Sequence, residues 1–353
     1  MNPALPHVRK IAVLRPSAVG DFVFALPALH AFKNTYPEAQ IVYIGKQWHA
    51  DFLKARPGPV DRVAVMPPTP GVGAPPDALL PEEPGLQFMA AMQGERFDLA
   101  VQLFGGGRYS NPYVAALGAG LCIGLKAADA APLDKWVPYG GLANTRLRLL
   151  EVAELAGARA WHAEHELSVT GGDRQQAARV LPVTAQRLVL LQPGSSDARR
   201  CWPSAHFAAV GDALAQDGAL VAVNGTGSEA PLVRAVVKAM RHRAIDLSGE
   251  LSLSGLCGLL ERCALLISND TGPLHLGLAI GTPCVGIYWF TNLIESAPLR
   301  QQRHRGALSH RVHCPVCGAE NLKTRCAHDA SFVADVRPDE VTALAIELLR
   351  STA

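Results

Sequence analysis

Short apolar runs recur along the chain, each closed by glycine, proline or a small polar residue. KIAVLRP (10–16), QIVYIGK (40–46), DRVAVMP (61–67) and DLAVQLF (98–104) read as strands buried on both faces. Between the first two lies FVFALPALHAFKNTYP, with helical spacing and a proline at its end. Strand, helix, strand in this order predicts a parallel sheet with crossover helices. A second series follows: RLVLLQPGSS (187–196), ALVAVNGTGS (219–228), RAIDLSG (243–249), ALLISND (264–270) and TPCVGIYW (282–289). SAHFAAVGDALAQDG, EAPLVRAVVKAMR and LSLSGLCGLLERC fill the gaps as helices.

The pattern therefore predicts an α/β protein of two similar units, with residues 1–175 in the first and 176–335 in the second. SVTGGDRQQAARVLPVTAQ (168–186) joins them and carries a helix of its own. The closing segment 336–353 has a proline and two acids at the start of RPDEVTALAIELLR, which predicts a capped helix. It is expected to pack back towards the first domain. GVGAPPDALLPEEPG (71–85) reads as a long functional or mobile loop, and LRQQRHRGALSHR as a solvated helix face. In open parallel sheets ligands bind beyond the carboxyl ends of the strands, so two such sheets facing one another would line a cleft with the loops after their strands.

Composition narrows the class. Of 353 residues 49% are hydrophobic and 18% charged, with a net charge of +2. That balance describes a soluble globular chain and gives no field to attract nucleic acid. MNPALPHVRK is too polar for a signal peptide, and no apolar run approaches the roughly 20 residues of a membrane helix. A cytoplasmic protein is expected. Cys122, Cys201, Cys257, Cys263 and Cys284 are scattered singly and read as reduced, packed thiols.

Chemistry concentrates just after the strands. In RPSAVGDFVFALPAL a lone carboxylate, Asp21, stands where a turn becomes an apolar helix, with Ser17 and Gly20 before it. In SNDTGPLHLGLAIG, Asp270, Thr271 and Gly272 precede a helix that Pro273 suits at its first position. Free N–H groups there favour an anion, though Asp270 equally reads as a helix cap. In PGSSDARRCWPSAHF, Ser195, Ser196, Arg199 and Arg200 offer donors matched to phosphate oxygens, or form a solvated turn before a helix capped by Ser204. Thr226 and Glu229 in VNGTGSEAPLV suggest a ribose contact or a dipole-stabilising acid. Gly106 and Arg108 belong to FGGGRYSN, an adaptable loop for a sugar, a phosphate or no ligand. Cys314, Cys317, Cys326 and His328 form C-x2-C-x8-C-x-H, a zinc-competent set that also reads as packed or redox-sensitive thiols.

Taken together, RPSAVGDFVFALPAL, PGSS with RRCWP, and SNDTGPLHLGLAIGTPCVGIY resemble glycosyltransferase family 9, the bacterial heptosyltransferases. The resemblance spans nearly the whole chain. It implies a GT-B fold, two Rossmann-like domains facing across a cleft. It implies transfer of a heptose or related sugar from an ADP-activated donor to a lipopolysaccharide-core acceptor, with inversion and no catalytic metal. Asp21 matches the family's aspartate thought to act as general base. Asp270 to Gly272 match the segment that holds the donor, with Pro273 and His275 in the same motif. Arg200 stands where members usually carry a lysine near the WP pair, a departure that leaves donor preference less fixed. Ser195, Ser196, Arg200 and Thr271 are expected to hold the donor diphosphate. Ser17, Gly20, Gly106 and Arg108 are expected on the acceptor side. A lipid-linked or oligosaccharide acceptor implies peripheral contact with the inner face of the bacterial inner membrane. Competing readings are a GT-B enzyme with another nucleotide-sugar, an epimerase, or a non-catalytic nucleotide-sugar-binding protein. A nicotinamide oxidoreductase fits poorly, because no strand leads into a complete G-x-G-x-x-G.

Overall fold

The computed structural model of the chain describes residues 3–159, 166–322 and 324–351. The chain divides into two compact units, Met1–Ser168 and Val169–Ala353.

The first unit runs β1 (Lys10–Leu14), α1 (Val19–Thr35), β2 (Gln40–Gly45), α2 (Gln47–Leu53) and β3 (Arg62–Val65). A short parallel pair follows, β4 (Thr69–Pro70) and β5 (Gly73–Ala74), then α3 (Glu83–Gly94), β6 (Leu99–Gln102), α4 (Ser110–Ala115), β7 (Leu121–Lys126), β8 (Lys135–Pro138) and α5 (Thr145–Glu154). The main sheet is ordered β3-β2-β1-β6-β7-β8, every pair parallel. Ile11, Ala12, Val13 and Leu14 are fully buried, as a central strand covered on both faces requires.

The second unit contains α6 (Gly171–Val180), β9 (Leu188–Gln192), α7 (Ser204–Gln216), β10 (Leu220–Gly225), α8 (Ala230–Ala239), β11 (Ala244–Ser248) and α9 (Leu253–Arg262). It continues with β12 (Leu265–Asn269), α10 (Gly272–Ile280), β13 (Cys284–Trp289), α11 (Phe290–Ser296), β14 (His304–Ser309) and α12 (Pro338–Ser351). Its sheet is ordered β11-β10-β9-β12-β13-β14, again all parallel. Leaving aside the β4–β5 pair, both sheets have the Rossmann order 3-2-1-4-5-6 counted within each unit.

Three strands of the two main sheets escape the hydrophobic pattern. In β7, Gly124 interrupts the apolar run because a side chain there would collide with Gln102. In β8, an edge strand, Trp136 is exposed and the run is short. β14 replaces the solvated helix face expected of the basic run. His304, Ala307 and Ser309 are buried, and the strand pairs with β13 from Cys284–His304 to Trp289–Ser309. Arg305 points its charge off this edge to Glu347, which suits an edge strand.

The units part between Ser168 and Val169, seven residues before the join expected at 175. Helix α6 belongs to the second unit, where it packs on α9 and Arg174 forms a fork with Glu261 at 2.6 Å on both bonds. The closing helix expected from RPDEVTALAIELLR is α12. Val341, Ala345 and Leu348 make one apolar stripe, which lies against α7 and β12–β14 of its own unit. Residues 352 and 353 of the closing segment lie outside the described residues.

Candidate functional site

A sheet of this order has one reversal point, between its first and fourth strands, where the outgoing loops separate and leave a crevice. In the first unit those loops are 15–18 after β1 and 103–109 after β6; in the second they are 193–203 after β9 and 270–271 after β12. Four of the stretches singled out by sequence border these loops; VNGTGSEAPLV follows β10 and the cysteine cluster follows β14.

In the first unit, Asp21 lies in the first turn of α1, where the helix dipole favours an acid. The helix is capped by Ala18 without a side-chain bond. Arg15, at the end of β1, is buried and reaches back to this turn. Its Nε donates to the Asp21 carbonyl at 2.6 Å, its Nη1 to the Leu103 carbonyl, and its Nη2 to Asp21 Oδ1 at 3.3 Å. The Arg15 side chain is 6% exposed and that of Asp21 50%. Burial pulls the Arg15 guanidinium below its ordinary value, and Asp21 offsets part of that. Tyr43 supports the arrangement by donating to the Arg15 carbonyl at 2.7 Å. Arg15, Ser17, Asp21, Tyr139, Thr145 and Arg148 line part of a pocket of about 270 Å³. Pro16 borders a wider groove of about 830 Å³ with Lys46, Met66 and Phe88.

The loop after β6 is pinned from beneath. Gln102 donates to the carbonyls of Phe104 and Gly105 and to Ser110 Oγ, and accepts from the Leu125 N–H at 2.9 Å. Asn111 donates to the carbonyls of Leu125 and Ala131. Gly107 has φ +94°, and a Cβ there would fall on the Asn111 side chain, so this turn requires glycine. Gly106 lies against Tyr139. Arg108 is exposed and faces Asp129 at 3.8 Å; the arginines that line the pocket are Arg15 and Arg148. Sequence reasoning missed Arg15, Tyr139 and Arg148. A charge ending a buried strand at LRP was the available signal for Arg15.

In the second unit, Asp270 is neither the cap of α10 nor an open phosphate ligand. Thr271 is the cap residue, and Asp270 lies buried behind it. Its Oδ1 bonds His275 Nε2 and the Ser296 hydroxyl, both at 2.9 Å, and Oδ2 is 3.6 Å from Arg200. Burial pushes this carboxyl up, but His275, Ser296 and Arg200 outweigh it and hold the net value below the ordinary one. Thr271, Gly272 and Pro273 remain partly exposed at the helix start. Asn269 fastens the loops together: it accepts the Trp202 N–H at 3.0 Å and donates to the Pro193 carbonyl at 2.7 Å.

The two arginines of RRCWP part company. Arg199 pairs with Asp197 at 2.7 Å and shapes the turn from within. Arg200 turns to Asp270 and donates to Ser196 Oγ at 3.4 Å. Ser195 accepts the Asp197 N–H. Helix α7 is capped at Pro203 rather than Ser204, because Ser204 is already the first residue of the helix. Glu229 closes a capping box on Thr226, with bonds of 2.8 Å to its N–H and 3.0 Å to its hydroxyl. Its other oxygen covers Gly194, where a Cβ would come within 1.9 Å. Glu229 thus ties the loop after β10 to the loop after β9.

Cys314, Cys317, Cys326 and His328 converge, their ligand atoms all within 4.8 Å of one another. That is a donor set and spacing able to hold a tetrahedral metal ion.

Two doubly wound units, each with polar loops gathered at its reversal point, give the chain the GT-B fold. The chain matches glycosyltransferase family 9 (heptosyltransferase) over residues 87–324 and belongs to that family. It is similar to the lipopolysaccharide core heptosyltransferase OpsX of Haemophilus influenzae, 22% identical over 305 residues that cover 82% of each protein. Its fold is similar to the glycosyl transferase family 9 structure from Veillonella parvula (TM-score 0.82, 19% identity, 99% of both chains). It is also similar to the ADP-heptose lps heptosyltransferase II structure of E. coli (TM-score 0.74, 18% identity, 97% of this chain and 99% of that one).

Proposed function

We propose that this glycosyltransferase moves a heptose from an ADP-activated donor to a lipopolysaccharide-core or related glycan acceptor, inverting the anomeric centre, with Asp21 as general base. Family membership supports the sugar transfer. The relative's role on the lipopolysaccharide core and the E. coli protein's ADP-heptose support the choice of substrates. The observation that carries the mechanism is Asp21: a half-exposed carboxylate at a reversal point, oriented by a buried arginine and opening on a pocket.

The acceptor hydroxyl lies by Asp21, between Ser17, Gly20 and the Gly106 loop. Its oxygen attacks the anomeric carbon while Asp21 takes its proton. The bond from that carbon to the diphosphate oxygen breaks, and its electron pair leaves with the nucleoside diphosphate. Attack opposite to the leaving group inverts the centre. Arg200, the Ser195 and Ser196 hydroxyls and the N-terminus of α10 at Thr271 and Gly272 neutralise the growing phosphate charge. In this reading no metal takes part in the transfer. Asp270 contributes indirectly, by holding Arg200 and His275 in place. A lipid-linked acceptor brings the protein to the cytoplasmic face of the inner membrane as a peripheral enzyme. Among the described residues no helix is long and apolar enough to cross it.

Two measurements test this. A thermal-shift panel of ADP-, GDP- and UDP-sugars should give its largest rise with the ADP-sugar. Asp21→Asn should bind ADP as the wild type does and lose transfer; normal transfer by this variant would sink the base assignment.

A further inference from the structure

Five of the eight cysteines behave as small apolar side chains or partly covered thiols outside the Cys314–His328 cluster. Cys257, Cys263 and Cys284 are buried, and burial pushes the Cys263 thiol up to about 12. The other three do not fit that pattern. Cys317 is exposed and Cys326 half-buried, yet both sulfurs turn towards Cys314 and His328.

The backbone around them is arranged for thiolates. The Val316 N–H donates to Cys314 Sγ at 3.4 Å, and the turn closes through Gly318 N–H to the Cys314 carbonyl at 2.9 Å, with Gly318 at φ +73°. Asn321 donates to Cys326 Sγ at 3.4 Å. Donors aimed at sulfur favour the deprotonated form that a metal needs. Three sulfurs and one imidazole nitrogen are a common structural zinc set.

Asn321 is also the link to the rest of the site. It is buried, and its Oδ1 accepts both the Cys326 N–H at 3.1 Å and Arg199 Nη1 at 3.4 Å. Past His328 the chain returns to the same turn, where the Phe332 N–H donates to the Arg199 carbonyl at 2.7 Å. Arg199 in turn holds Asp197, which sits between Ser196 and Arg200. We propose that Cys314, Cys317, Cys326 and His328 bind one zinc ion, and that this ion, through Asn321 and Arg199, fixes the Ser195–Arg200 turn for donor binding. The second half rests on the assignment of that turn to the donor diphosphate. The ion takes no part in the transfer itself.

Metal content decides the first half. Protein purified without added metal should carry one zinc per chain by plasma mass spectrometry, and Cys317→Ser and Cys326→Ser should lose it. Cobalt(II) in its place should give the intense visible bands of a tetrahedral thiolate site. Metal-free wild type, iron instead of zinc, or zinc retained by both variants would overturn the assignment. Asn321→Ala decides the second half, because it keeps all four ligands and cuts the link even if the cysteine variants fail to fold. It should retain zinc and bind ADP about tenfold more weakly in calorimetry. Full ADP affinity in this variant would overturn the coupling and leave the ion in place. A wild type that binds zinc but no ADP would overturn the donor assignment, and the coupling with it.

Discussion

Each unit places an aspartate paired with an arginine beside its reversal point, Asp21 in the first turn of the helix after the unit's first strand and Asp270 directly after its fourth. Their burial is opposite. In the first unit the arginine is hidden and the carboxylate open, Arg15 at 6% and Asp21 at 50% side-chain exposure. In the second the carboxylate is hidden and the arginine more open, Asp270 at 4% and Arg200 at 25%. In an ion pair the buried member orients and the open member meets the ligand. An open carboxylate suits a group that must take a proton; an open guanidinium suits one that must face phosphate oxygens. In the proposed reaction the two pairs meet the two opposite charges that a sugar transfer from a diphosphate has to manage.

The largest effect expected is on rate. Asp21→Asn keeps the shape of the side chain and removes the base, so kcat should fall by about 1,000-fold, roughly 4 kcal/mol. Donor KM should hardly move. A fall of less than tenfold in steady-state transfer assays would place the base elsewhere and break the contrast between the two pairs.

Next comes stability, and here the other aspartate should dominate. Asp270→Asn removes the buried charge that faces Arg200 and bonds His275 and Ser296, at a cost of about 3 kcal/mol in urea unfolding. Because the folded carboxyl lies below its ordinary value, its contribution is complete above the usual carboxylate range and is lost as pH falls through the folded value. The gap between wild type and variant should thus be full at pH 7 and shrink below about pH 4. A gap independent of pH would mean that packing, not charge, carries the effect.

A smaller change is expected at the open member of that pair. Arg200→Ala should lower kcat/KM for the donor about 30-fold, roughly 2 kcal/mol, the worth of hydrogen bonds to a charged group. Arg199→Ala would act differently, loosening the turn it shapes with Asp197. Equal losses of donor affinity and of stability in Arg200→Ala would show it to be structural as well.

Much of this arrangement is legible in the sequence. Runs such as KIAVLRP and ALLISND show their strands because strands buried on both faces are apolar throughout. Asp21 and Thr271–Gly272 stood out because a polar group between a strand and a helix is conspicuous. The edge strands β8 and β14 were hidden, since an edge needs polar residues and its pairing partner is not in the local sequence. The burial of Asp270 was hidden for a similar reason. It depends on Ser296, 26 positions later, and on Arg200, 70 positions earlier, contacts that only the folded sheet brings together. The split between Arg199 and Arg200 depends likewise on Asp197 facing one and Asp270 the other.

The smallest expected effect closes the contrast. Asp21 contributes to stability through the dipole of α1 and one long, half-exposed contact with Arg15, terms worth about 0.5 kcal/mol together. Asp21→Asn should therefore shift the urea midpoint very little, and less at high salt, where the dipole term is screened. Arg15 would lose only part of its support, because its bonds to the Asp21 and Leu103 carbonyls do not involve the carboxylate. Thus the aspartate that matters most for rate should matter least for folding, and Asp270 should show the reverse. A destabilisation of Asp21→Asn comparable to that of Asp270→Asn would mean that Arg15 depends on the carboxylate after all, and that the open pair is as structural as the buried one.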